Sequence, residues 1–168
     1  MMTRILFILC LLIPVSAFSF VNEPNGFRNI PWNSPLSQVT GLRPAGKPSG
    51  TVQHYMLMDE IFPQEGIILY DISYVVDAGK FVEVVTRYEC PQYGSLKENL
   101  KKKYGAATEI TKKGGTVIWR GKMTTITLGP PDTAKAEKPS SPNADSPLCP
   151  LTYSSTPYLT KAGQAGTK

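Results

Sequence analysis

A stretch of alternating apolar residues that doubles back on itself constrains this chain more than anything else in it. Ile68, Tyr70, Ile72, Tyr74 and Val76 recur at every second position, the spacing that puts side chains on one face of a strand. Asp77-Ala-Gly-Lys80 follows as a turn, and Phe81 to Glu89 returns with Val82, Val84 and Tyr88 on one face. The pair predicts a β-hairpin. One hairpin buries too little surface to be stable alone, so the rest of the chain has to cover it.

Upstream, Phe27 to Leu42 predicts a short helical turn. Ser34 would cap it, Pro35 would take its first position, Leu36 and Val39 would face inward and Gly41 would stop it. Arg43 to Gly50 is rich in Pro and Gly and reads as loop, and Thr51 to Met58 as a strand. Downstream, Ser95-Leu-Lys-Glu98 has the form of a capping box. The helix it opens would run to about Tyr104 with Leu96, Leu100 and Tyr104 on one side, and Gly105 would end it. Thr108–Thr111, Thr116–Arg120 and Lys122–Leu128 then predict a meander of short strands with turns at Gly114-Gly115 and Gly121.

Residues 129–149 break this pattern with Pro, Ser, Ala, Lys and Asp, and predict a flexible insertion. Leu151 to Ser155 reads as a last strand, and residues 157–168 as a disordered tail. The expected fold is therefore α+β, a mainly antiparallel sheet in the order α-β-β-β-α-β-β-β-β. It has one helix of two to three turns and a short N-terminal helical turn, in a single domain over residues 20–156.

The first residues fix an expected address. Arg4, an apolar run from Ile5 to Ile13, and small residues at Ala17 and Ser19 have the three-part form of a cleavable signal peptide over residues 1–19. The run is too short to span a bilayer, and nothing later approaches that length. Export to the periplasm is the expectation, with a mature chain that does not span a membrane. Loss of Arg4 takes the net charge from +5 to +4, a balance suited to anionic envelope surfaces. Nucleic acid is not an expected partner in that compartment. Cys10 leaves with the signal, and the remaining pair, Cys90 and Cys149, reads as a disulfide in an oxidising compartment.

Several of these residues form a recognisable set. Phe27-x-x-Ile30-Pro31-Trp32-x-Ser34-x-Leu36-x-x-Val39 resembles the opening of a family of small exported bacterial domains. The likeness continues through Ile72 and Tyr74, Lys103-Tyr104-Gly105, Trp119, and Thr124 with Ile126 to Leu128. Asn33 stands where that family usually has Gly after the Trp. The resemblance implies a fold and an exported address, and no catalytic residue.

Catalytic chemistry finds little to work with. His54 is the one histidine in the chain, so Ser-His or Cys-His catalysis would have to run through it; a half-buried strand position is the plainer expectation. His54, Met56 and Met58 alternate along one strand face and make a soft donor set suited to Cu(I), although Met also fills core gaps and the three span too much strand for one ion without a bend. Asp59-Glu60, or Asp71 with Glu83 across the hairpin, have the form of a glycosidase pair, but solvated sheet charges explain them without further assumption. Lys97, Lys101, Lys102 and Lys103 crowd the helix, near Lys112, Lys113, Arg120 and Lys122. Lys97, Lys101 and Lys102 are the expected contact patch for an envelope protein or anionic surface. Trp32, between two prolines, reads as a core plug. The expected function is a non-catalytic, cofactor-free binding or structural domain of the cell envelope; the alternative is a small envelope enzyme or copper-binding protein using His54.

Overall fold

The structure, a computed structural model, describes residues 20–57, 62–64, 66–111, 115–130 and 146–165. The expected signal peptide, Met58, Asp59, Glu60, Lys112, Lys113 and residues 131–145 of the expected insertion lie outside them.

The described chain is α+β, and its strands pair antiparallel throughout. In order come β1 (Gly26–Phe27), β2 (Ile30–Pro31), β3 (Arg43–Ser49), β4 (Val52–Met56), β5 (Phe62–Gln64), β6 (Ile67–Asp77) and β7 (Lys80–Glu89). Helix α1 (Tyr93–Tyr104) follows, then β8 (Glu109–Ile110), β9 (Val117–Arg120), β10 (Thr124–Leu128), β11 (Leu148–Ser155) and α2 (Thr156–Ala165). β1 and β2 form a small separate hairpin. The large sheet has the order β3-β4-β6-β7-β11-β10-β9-β8, with β5 paired to the start of β6. The last strand therefore sits at the centre, joining two halves that are each built from sequence neighbours.

The 66–89 hairpin forms as expected, but its faces are set by two bulges. Asp71 adopts φ 49° and the β6–β7 register slips between Tyr70 and Ser73. One extra residue reverses the alternation, so Ile67 and Leu69 share the core face with Ile72 and Tyr74, and Ile68 turns to solvent. A second slip, between Val75 and Val76, brings Phe81 into the core beside Val84 and Tyr88. Strict period two over 68–76 does not hold.

Other boundaries differ from expectation for identifiable reasons. Arg43–Ser49 is an edge strand, not a loop: prolines are tolerated where one row of backbone groups faces water. The N-terminal turn is a single 3-10 turn at Leu36–Gln38; Ser34 donates its hydroxyl to the Pro31 carbonyl at 2.6 Å and caps nothing. Helix α1 begins two residues before Ser95, continuing from a 3-10 turn at Cys90–Gln92 in which Pro91 needs no N–H partner, and it has no side-chain cap. β11 starts at Leu148, three residues early, because Leu148 and Cys149 already pair with Glu89 and Tyr88. Residues 156–165 are helical, not disordered: Thr156 is anchored by its N–H to the Met123 carbonyl and its hydroxyl to Thr125.

The core lies on one face of the sheet, beneath α1 and the N-terminal segment. Leu96, Leu100 and Tyr104 bury one stripe of α1 against it. Trp32 is buried as expected, with its ring 4.9 Å from Phe81 and its Nε1–H donating to Thr124 at 2.7 Å. Asn33 holds φ 66°, a conformation Asn tolerates and Gly adopts freely. Trp119 donates to the Gly105 carbonyl at 2.9 Å. Helix α2 lies on the opposite face, where Tyr158 comes near Asp77 and Glu83. Cys90 and Cys149 are disulfide-bonded across adjacent strand ends, Cα to Cα 5.1 Å, each 1% exposed.

Candidate functional site

A cleft of about 660 Å³ opens at the end of the core where the β1–β2 hairpin, β5 and the last turn of α1 meet. Its shape follows from the small hairpin. Arg28 and Asn29 are the two residues between Phe27 and Ile30, and both have positive φ, 51° and 64°, the signature of a type I′ turn. Gly26 is obligatory before it: φ is +138°, and a Cβ there would fall on the Ile30 carbonyl oxygen. Phe27 tethers the hairpin to the core through aromatic contacts with Tyr153 at 5.3 Å and with Phe62 and Tyr74 beyond.

The segment before the hairpin is pinned along the open end. Phe20 packs edge-on against Tyr104 at 5.1 Å, and Val21 donates its N–H to the Tyr104 carbonyl. Asn22 donates to the Lys103 carbonyl at 3.0 Å. Glu23 accepts from the N–H groups of Met123 and Thr124 at 2.6 and 2.7 Å, and so caps the β9–β10 turn.

The cleft wall carries charge in fixed places. The Arg28 guanidinium lies 4.2 Å above the Phe62 ring and donates to the Tyr74 hydroxyl at 2.9 Å. Burial raises the Tyr74 hydroxyl's pKa, while the charge of Arg28 and its hydrogen bond pull it back. Lys103 lines the other side, with Nζ 5.1 Å from the Tyr104 ring centre. Gln64 donates to Tyr153 at 2.5 Å and closes the floor. Among the described lining residues the formal charges are positive and the polar groups are amides and tyrosine hydroxyls.

The expected lysine patch adjoins this cleft. Lys101 and Lys102 are exposed on the last turn of α1, Lys97 is half-buried one turn back, and Lys102 joins Lys103 around a shallow hollow beside Gly66 and Asn99. Glu98 pairs with Lys101 at 4.0 Å, both well exposed, so the pair adds little to stability. Lys103 belongs to both surfaces and makes them one cationic end.

The other sequence candidates are not gathered into sites. His54 is exposed on β4 rather than half-buried, with Nδ1 3.1 Å from the Ser73 hydroxyl. Met56 follows on the same strand face, and Met58 is outside the described residues, as are Asp59 and Glu60. Among the described residues no group of three or more His, Cys, Asp or Glu side chains converges. Asp71 meets Arg87 at 3.7 Å, while Glu83, opposite Val75, accepts from Ser154 at 2.7 Å. The two carboxylates are thus four residues apart along the hairpin, each with its own partner. Arg28 was missed in the sequence. Its signal was two polar residues between Phe27 and Ile30.

Comparison with protein-family models, with curated proteins and with solved structures returns no match.

Proposed function

We propose that this chain is an exported domain of the bacterial cell envelope that acts by binding an anionic component through its cationic end. The observation that carries the reading is the continuity of Lys101 and Lys102 with the Lys103 and Arg28 cleft. These groups recognise negative charge and shape; they do not form a proton-transfer pair. The buried Cys90–Cys149 disulfide suits an oxidising compartment, and no helix among the described residues is long and apolar enough to cross a membrane. The N-terminal signal pattern and the resemblance to small exported domains support the same address.

The test is binding of the mature chain to isolated envelope fractions at rising salt. Reversing Lys97, Lys101 and Lys102 to Glu should weaken binding by about tenfold or more, and salt should do the same to the native chain. His54→Ala should leave binding and any deletion phenotype intact. If His54→Ala alone abolishes them at unchanged thermal stability, an enzyme or metal site takes the place of this reading.

A further inference from the structure

We propose that His54 and Met56 on β4 hold one soft monovalent metal ion, of the class to which Cu(I) belongs. The site lies on the sheet face opposite α1, and it goes beyond the envelope binding proposed above.

The strand brings the two donors to one face. Its register with β6 is continuous, His54 opposite Val75 and Met56 opposite Ser73, so the pair is about 7 Å apart along the strand. Tyr55, between them, packs against the core, and neither His54 nor Met56 belongs to that cluster. Core filling, the ordinary use of Met, therefore does not account for Met56. The imidazole does not stand straight across from Val75. Its Nδ1 lies 3.1 Å from the hydroxyl of Ser73, the residue opposite Met56, so the ring leans along the strand toward the thioether. Ser73 can accept from Nδ1–H, and that tautomer leaves the Nε2 lone pair for a metal on an exposed residue. A bond of this kind is how proteins orient a metal-binding histidine. The two donors make no site by themselves, and an ion between Nε2 and Sδ completes one.

The surroundings define the ion. One imidazole and one thioether are a soft pair, and thioether donors select Cu(I) over hard divalent ions. On β3, Arg43 is opposite Met56 and Ala45 opposite His54. On β6 the neighbours are Val75 and Ser73, and Glu83, opposite Val75 on β7, accepts from Ser154. No carboxylate therefore stands directly beside the pair on either neighbouring strand. A divalent ion would find no anionic ligand there, and Arg43 would repel it twice as strongly as a monovalent one.

The experiment titrates the mature chain, disulfide intact and chloride absent, with Ag⁺ and with Zn²⁺ for contrast. Ag⁺ shares the charge and softness of Cu(I) and does not change redox state during the titration. NMR follows the His54 ring and the methionine methyl signals. Ag⁺ should bind with a Kd below about 100 µM and at least about tenfold more tightly than Zn²⁺. The His54 ring and the Met56 methyl should shift together. Met56→Leu conserves side-chain volume and should weaken Ag⁺ by about tenfold or more, as should His54→Ala. Met123→Leu changes an exposed thioether elsewhere and should leave Ag⁺ binding as it is. The proposal is overturned if Zn²⁺ binds as tightly as Ag⁺, if folded Met56→Leu binds Ag⁺ like the native chain, or if no Ag⁺ binds up to about 1 mM. His54→Ala should lose the ion and keep salt-sensitive envelope binding, so failure of either reading leaves the other standing.

Discussion

At its start helix α1 is locked, and at its finish it is open. The start follows directly from Cys90, which is bonded to Cys149 on the central strand. Around it Tyr88, fully buried, donates to the Gly129 carbonyl at 2.9 Å, and Tyr93 donates to that of Gly115 at 2.5 Å. The finish is Lys101-Lys102-Lys103 beside the cleft that Arg28 and Lys103 help to line. One helix thus links a buried, disulfide-bonded end to an exposed end lined by cations. The difference teaches where substitutions should act: those at the locked end on stability, those at the open end on binding.

The largest effect should come from the locked end. Replacing Cys90 and Cys149 together with Ala opens a loop with a sequence separation of 59 and should lower stability by about 4 kcal/mol. Urea denaturation measures it. A loss below about 1 kcal/mol would show that strand pairing holds this end without the bridge.

Next is a change that should damage the open end alone. Gly26→Ala forces a Cβ onto the Ile30 carbonyl at a φ that side chains rarely adopt, at about 2 kcal/mol or more locally. Hydrogen exchange should accelerate in β1, β2 and β5, while amides of β7 and β11 stay protected. Equal acceleration at both ends would abolish the distinction between them.

The smallest effect sharpens the locked end. Tyr88→Phe removes the bond to Gly129 and should cost about 1 kcal/mol at neutral pH. Burial, with Tyr93 adding to it, holds the Tyr88 hydroxyl above the ordinary tyrosine range. A phenol that ionises later in the folded chain than in the unfolded one contributes its stability in full below about pH 10 and loses it as pH rises further. The native chain should therefore weaken above about pH 10, and Tyr88→Phe should weaken less steeply over the same range. Parallel alkaline curves for the two would place the sensitive tyrosine elsewhere.

Local patterns were legible in the sequence and distant placements were not. The 66–89 hairpin, α1 and the β9–β10 turn depend on neighbours within a few residues, so periodicity and turn chemistry expose them. The bulge at Asp71 left no trace, because an extra residue reverses the faces without changing composition. Helix α2 had a readable start in Thr156-Pro157, a capping residue type followed by the helix-starting proline, but its small and polar composition read as tail. The lysine patch was visible as a run of like charge. Arg28 was not, because its importance lies in Phe62, Tyr74 and Lys103, which are 34, 46 and 75 positions away.

The sequence by itself determined the antiparallel α+β class, the pairing of its two late cysteines and the cationic helix face, since each follows from spacing or from residue type. Only the tertiary structure decided that β11 enters the centre of the sheet, and that its arrival brings Tyr153 under Phe27. It also decided that a turn near the N-terminus meets the far end of α1 to form the cleft. Those outcomes are choices among long-range pairings whose free energies come from packing complementary surfaces, and a one-dimensional pattern carries no record of which surfaces will meet.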